Sequence, residues 1–227
     1  MPSATPKSWA LLISTITLLF AQCRAQSSNG INLTVTFSEN DAGNCANTST
    51  EQGITFSTAM IPYYSVCFNL DELFTENNNT GIVQQSEILQ NRPTNFSWSA
   101  SGNENYNVQA NYSQVWYQQA NITGKIGAGQ DAARQLSVYS GRDCHSINGS
   151  EIRTLDPWIG WTCQSEAGGQ CDTVPISIKS FLIADASSIN NGYPKCWDDA
   201  VMGGASRARV ASLWMVGVVV VAAVLLL

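Results

Sequence analysis

The chain holds one histidine, His145, and only 12% of its 227 residues are charged. A lone imidazole cannot fill a zinc site, so a His-rich metal centre is excluded. A Ser-His-Asp or Cys-His nucleophile system would have to run through His145, and no Gly-x-Ser-x-Gly elbow accompanies it. Between the two chain ends no long segment repeats its apolar residues at helical spacing, and no internal repeat is present, which leaves long amphipathic helices and solenoids out. Basic residues are scarce as well. From residue 26 to residue 203 there are 7 Lys and Arg against 17 Asp and Glu, and a surface of that sign repels phosphate, so nucleic acid is not expected as a partner.

Two glycine-rich or acidic stretches invite ligand readings and lack the spacing for them. GKIGAGQD, residues 124–131, has Gly-Lys but no Ser or Thr after it and no helical pattern behind, so it reads as a hairpin connection. DELFTENNNTG, residues 71–81, is acidic without the ordered ligand positions of a calcium loop, so it reads as solvated loop. No metal and no cofactor are expected.

What is present in quantity sits at the ends. Residues 1–25 carry Lys7, an uncharged run from Trp9 to Phe20, and small side chains at Cys23 and Ala25, the pattern of a secretory signal peptide removed near Ala25. Leu213 to Leu227 is an uncharged apolar run of 15 residues, preceded by a polar segment with Arg207 and Arg209 and by the small residues Gly203, Gly204, Ala205 and Ser206. Small residues, spacer and apolar tail match the signal for a glycosylphosphatidylinositol (GPI) anchor. Gly203 and Gly204 are the expected attachment residues, with Ala205 and Ser206 as alternatives, and residues 204–227 are expected to be removed. A retained span is the competing reading. It is short against the roughly 20 residues a span needs, and its arginines precede the run, against the positive-inside tendency.

Residues 26–203 then form one extracellular domain. It retains six cysteines, Cys45, Cys67, Cys144, Cys163, Cys171 and Cys196, an even number in an oxidising compartment and therefore three disulfides. Spacing alone leaves the connectivity open. The favoured set is Cys45 with Cys67, Cys163 with Cys171 across the Gly168-Gly169 turn, and Cys144 with Cys196. Seven sequons, at Asn32, Asn47, Asn78, Asn95, Asn111, Asn121 and Asn148, predict a densely N-glycosylated surface.

Short alternating runs predict strands. Ile31, Leu33, Val35 and Phe37 alternate with polar residues, as do Phe96 and Trp98. Tyr106, Val108, Ala110, Tyr112 and Trp116 form the longest alternation, which fails at Gln114 and predicts a bulge or an end there. IPYYSVCFNL, Leu136 to Tyr139 and VPISIKSFLIAD complete the set. Many short strands separated by turns predict an all-β fold, a disulfide-stapled antiparallel β-sandwich.

DPWIGW places Trp158 and Trp161 near Asp143, Glu151, Asp156 and Glu166. The first expectation for these indoles is core packing beside a disulfide, and the second is a surface on which sugar rings stack. The four acids are the best placed for a glycosidase, which needs two carboxyl groups about 5–9 Å apart. Signal peptide, six cysteines, many sequons, anchor signal and the stretch GWTCQSEAGGQCDTVPISIKSF together resemble the GPI-anchored, cysteine-containing surface proteins of filamentous fungi. That resemblance implies a place at the cell membrane or cell wall, or secretion, with wall polysaccharide or a host surface as partner, and implies no activity. The sequence thus favours a non-catalytic surface glycoprotein, with a wall glycosidase or transglycosylase as the alternative.

Overall fold

A computed structural model describes residues 32–39, 53–76, 79–87, 92–120, 127–146, 155–193 and 195–203. The expected signal peptide, the tail from Gly204 onward, Cys45, Glu151 and the sequons Asn47, Asn78, Asn121 and Asn148 lie outside them.

The expected alternation of Leu33, Val35 and Phe37 becomes the inner face of β1 (Leu33–Glu39), where all three are fully buried. The chain continues through β2 (Ile54–Thr58), β3 (Val66–Asn69), α1 (Leu70–Thr75), β4 (Thr80–Glu87), β5 (Arg92–Ser101), β6 (Tyr112–Gln118), β7 (Asp131–Tyr139), β8 (Trp158–Cys163), β9 (Gln170–Thr173), β10 (Ser180–Asp185), α2 (Ser187–Asn190) and β11 (Ala200–Met202). One sheet runs β4-β5-β2-β1-β6-β9 and the other β11-β8-β7-β10-β3, with every described pair antiparallel. The fold is an antiparallel β-sandwich.

Aromatic rings join the two sheets. Phe181 of β10 packs 5.2 Å from Phe37 of β1 and 5.0 Å from Phe56 of β2, and Phe68 of β3 packs 4.9 Å from Phe56. Each buried ring contributes roughly 1.5–3 kcal/mol. At the other end of the layer Tyr117 of β6 stacks on Trp161 of β8, centroids 6.1 Å apart. These contacts align the sheets, so the edge strands β3 and β4 share one margin of the sandwich while β9 lies with β8 and β11 at the other.

Several local expectations are corrected. Residues 106–111 are not strand: after a 3-10 turn at Asn103–Asn105, Asn107 accepts the amide protons of Gln109 on its side chain and of Ala110 on its carbonyl. Such Asn-centred turns compete with a ladder. β6 begins at Tyr112, and Ser38 pairs with Gln114 but Glu39 with Tyr112, so Ser113 is the extra residue of a bulge beside Gln114. Val115 and Tyr117 point inward, which puts Trp116 on the outer face. The acidic stretch read as loop opens with α1, whose Leu70, Leu73 and Phe74 bury one helical stripe.

The favoured disulfide set is replaced. Cys67 is bonded to Cys144 and Cys163 to Cys196. Cys171 is disulfide-bonded too, but not to Cys163. The turn at Gly168-Gly169 does not close a Cys163–Cys171 pair because β8 and β9 belong to different sheets, and the chain crosses between them there. Cys196 instead lies along the end of β8, where the Trp197 carbonyl accepts the amide protons of Thr162 and Cys163.

One end of the core is polar. Arg134, 3% exposed, donates from Nε to the Met60 carbonyl at 2.7 Å, from Nη1 to Gln119 Oε1 at 3.1 Å and from Nη2 to the Ala59 carbonyl. Gln119 donates to the Tyr117 hydroxyl at 2.8 Å, which donates to the Cys163 carbonyl at 2.7 Å. Burial pushes the Arg134 guanidinium below its ordinary pKa and the Tyr117 hydroxyl above its own.

Candidate functional site

The two tryptophans of DPWIGW part company in β8. Trp161 points inward, is fully buried and donates from Nε1 to Asp172 Oδ2 at 2.9 Å. It is a core residue, and the expected sugar-stacking role does not fit a ring with no exposed surface. Trp158 points outward and is half-buried. It stacks on Tyr139 of β7 with centroids 5.9 Å apart and packs 5.9 Å from Trp197, which in turn meets Tyr193 edge-on at 5.4 Å.

Gly160 lies under this cluster. A Cβ there would sit 3.1 Å from Trp158 and 3.2 Å from Trp197, so the absence of a side chain lets both indoles approach the sheet. Trp197 is fixed by its main chain: its N–H donates to Thr162 Oγ1 at 2.7 Å and its carbonyl accepts from β8. The disulfide from Cys196 to Cys163 holds the same segment. The result is an aromatic surface of Tyr139, Trp158, Trp197 and Tyr193 on the outer face of the five-stranded sheet, with Tyr193 51% exposed at its rim.

After Trp197 the chain turns a carboxylate toward β9 of the other sheet. Gln170 Nε2 bridges Asp198 Oδ1 at 2.5 Å and Asp172 Oδ2 at 3.2 Å, and Asp199 follows directly on Asp198. Partial burial raises the pKa of the Asp199 carboxyl, and the neighbouring Asp172 and Asp198 raise it further. Asp199 also holds a left-handed backbone, φ 47°. The outer indole faces offer the apolar CH face of a sugar a complementary partner.

No family model matches the chain, and neither a curated protein nor a solved structure does. The surface must therefore be read on its own chemistry.

Of the acids singled out in the sequence, Asp143 accepts from Asn69 Nδ2 at 2.8 Å at the β3 margin, while Glu166 lies in the turn entering β9 at the opposite margin. Those two do not form a pair. Asp156 donates its backbone N–H to the Ser146 carbonyl at 2.7 Å. His145 is exposed in the turn after β7. Among the described residues no group of three or more His, Cys, Asp and Glu is placed to hold a metal ion. The described sequons Asn32, Asn95 and Asn111 are all exposed, and Gly203 is exposed directly after β11, at φ 69° against the edge of Trp158. The Asp172, Asp198 and Asp199 group escaped sequence reading because Asp172 comes from the other sheet; the run CWDD, with two acids following an aromatic residue and a cysteine, was the available signal.

Because the folded state holds the Asp199 proton more tightly than an unfolded chain does, the stability this group contributes is present below the ordinary aspartate range and lost as pH rises through the raised value. Asn tolerates the left-handed backbone equally well. Asp199→Asn should therefore raise the melting temperature at pH 7 and leave it unchanged below about pH 3, where aspartate is protonated in either state. Thermal melts of both chains at the two pH values check this.

Proposed function

We propose that the protein is a GPI-anchored, N-glycosylated protein of the extracellular surface that binds cell-wall polysaccharide without cleaving it. The observation that carries this reading is the aromatic surface of half-buried Trp158 and Trp197 and exposed Tyr193, followed in the chain by the exposed Asp198 and Asp199. Rings on the outer face of a sheet add nothing to the core between the layers, and their arrangement suits a flat, uncharged sugar ring. The signal-peptide pattern, sequons and apolar tail support the location, and Gly203, the expected attachment residue, lies against Trp158.

The test starts from the full chain displayed on eukaryotic cells. Phosphatidylinositol-specific phospholipase C should release it, and the released protein should be retained on at least one of insoluble β-glucan, chitin and mannan. Trp197→Ala removes one indole while leaving the main-chain bonds to Thr162 and Cys163 in place, and should weaken retention about tenfold, the equivalent of about 1.4 kcal/mol. Retention that is absent, or unchanged in the variant, would overturn polysaccharide binding at this surface. Failure of the phospholipase to release the chain would overturn the anchor. Soluble sugars appearing in the same incubations would establish a wall-active glycosidase instead.

A further inference from the structure

The margin opposite the aromatic surface ends in a free strand. β4 pairs with β5 over eight consecutive residues, from Thr80 opposite Ser99 to Glu87 opposite Arg92, with no register shift. Among the described residues no strand pairs with its other side. The polarity of the ladder follows from one bond: the Ala100 N–H donates to the Asn79 carbonyl at 2.8 Å, so residues 79, 81, 83, 85 and 87 direct their backbone groups toward β5. Thr80, Ile82, Gln84 and Ser86 direct theirs outward, and among the described residues no backbone hydrogen bond from another element reaches those four.

Natural edge strands of this length are usually blunted by Lys, Pro, a bulge or brevity. β4 has none of these, and its one charged residue, Glu87, is at the end. The other edge at this margin, β3, is only four residues long and carries the Cys67–Cys144 disulfide. Both faces of β4 carry apolar surface: Ile82 is 63% exposed on one, and on the other Tyr63 and Tyr64 pack edge-on against each other, their amides held by Gln85.

We propose that β4 pairs antiparallel with β4 of a second copy of this chain, forming a symmetric dimer with one continuous sheet. The occupant follows from self-complementarity. With Val83 opposite Val83 of the second copy, Thr80 meets Ser86 and Ile82 meets Gln84, so all four outward residues of each strand are satisfied at once. Glu87 then lies opposite Asn79, and no like charges face each other. The twofold axis passes between the two Val83 residues, and the aromatic surface at the far margin stays uncovered in both copies. Polysaccharide binding and the anchor are not needed for this pairing.

The experiment uses full chain extracted in detergent from eukaryotic cells with its N-glycans in place, since Asn95 stands opposite Gln84 on the adjoining strand and the pairing must accommodate it. Val83→Cys should give a disulfide-linked dimer under mild oxidation. Val201→Cys, freer to collide because Val201 is 61% exposed at the β11 margin while Val83 is half-buried, should not. Gln84→Pro deletes an outward N–H and leaves the bonds to β5 intact, so adding it to Val83→Cys should cut the cross-linked fraction at least tenfold. The unmodified chain should sediment as a dimer and the Gln84→Pro chain as a monomer, which tests the pairing even if Val83→Cys fails to fold. A monomeric unmodified chain, equal cross-linking at Val83 and Val201, or pairing that survives Gln84→Pro would overturn the proposal.

Discussion

Replacing Arg134 by Met should lower the unfolding free energy by about 3 kcal/mol, and replacing it by Lys should cost at least as much. The guanidinium is 3% exposed and, among the described residues, no carboxylate pairs with it. Its burial is therefore unfavourable in itself, which is why its pKa is lowered. It persists because one planar fork satisfies three acceptors, the carbonyls of Ala59 and Met60 and the Gln119 side chain, which come from different strands and connections. Met removes the buried charge but takes the guanidinium donors from the Ala59 and Met60 carbonyls, at roughly 1–3 kcal/mol each, while Gln119 Oε1 keeps the backbone N–H of residue 134 at 3.2 Å; the loss is offset in part by the relief of desolvation. Lys retains the charge without the fork. Urea denaturation of the three chains gives the comparison; Lys clearly less damaging than Met would mean that charge rather than geometry is what the site requires.

The second large effect is expected at Cys67–Cys144. The bond joins positions 77 residues apart, and chain entropy alone assigns such a loop about 4 kcal/mol. Its location concentrates the damage. β3 is four residues long and held on one side only, by β10, yet it carries Phe68 into the ring cluster with Phe56 and Phe181. The turn carrying Cys144 is otherwise tied to β3 by reciprocal bonds between Asn69 and Asp143, 2.8 and 2.7 Å, and to β10 by the Cys144 N–H on Ser180 Oγ. The double variant Cys67→Ser/Cys144→Ser should therefore unfold about 4 kcal/mol more easily, and hydrogen exchange should accelerate first at Val66–Asn69. Uniform acceleration across both sheets would show that β3 is not the weak element.

The sandwich was legible because period-two alternation is a strong signal wherever one face is buried, as in Leu33, Val35 and Phe37 or Phe96 and Trp98. It misled at Tyr106 to Ala110, where the same alternation is broken by Asn side chains bonding to nearby backbone. β2 was lost inside an Asn, Ser and Thr-rich stretch because its buried run, Ile54, Phe56 and Thr58, is short and ends on a polar residue. β4 was lost because an edge strand buries too little to leave an apolar pattern. The disulfides were misassigned for a related reason: cysteines close in sequence seemed natural partners, whereas the crossing from β8 to β9 separates Cys163 from Cys171 between sheets. Of the four rings of the aromatic surface, Trp158 alone was anticipated. Trp197, Tyr193 and Tyr139 were not, since only the pairing of β7 with β8 and the Cys163–Cys196 bond assemble them.

That second disulfide also decides how the domain carries mechanical load. A pull on the C-terminus meets β11 first, and its three residue pairs with β8 can open one after another. Unravelling can then free residues 197–203, about 25 Å of extended chain, before tension reaches Cys196. There the force path leaves the hydrogen-bonded ladder and passes through a covalent bond to Cys163, at the end of β8, which β7 still holds. The last strand acts as a short compliant leader, and the disulfide is the stop that keeps tension from peeling the sheet further.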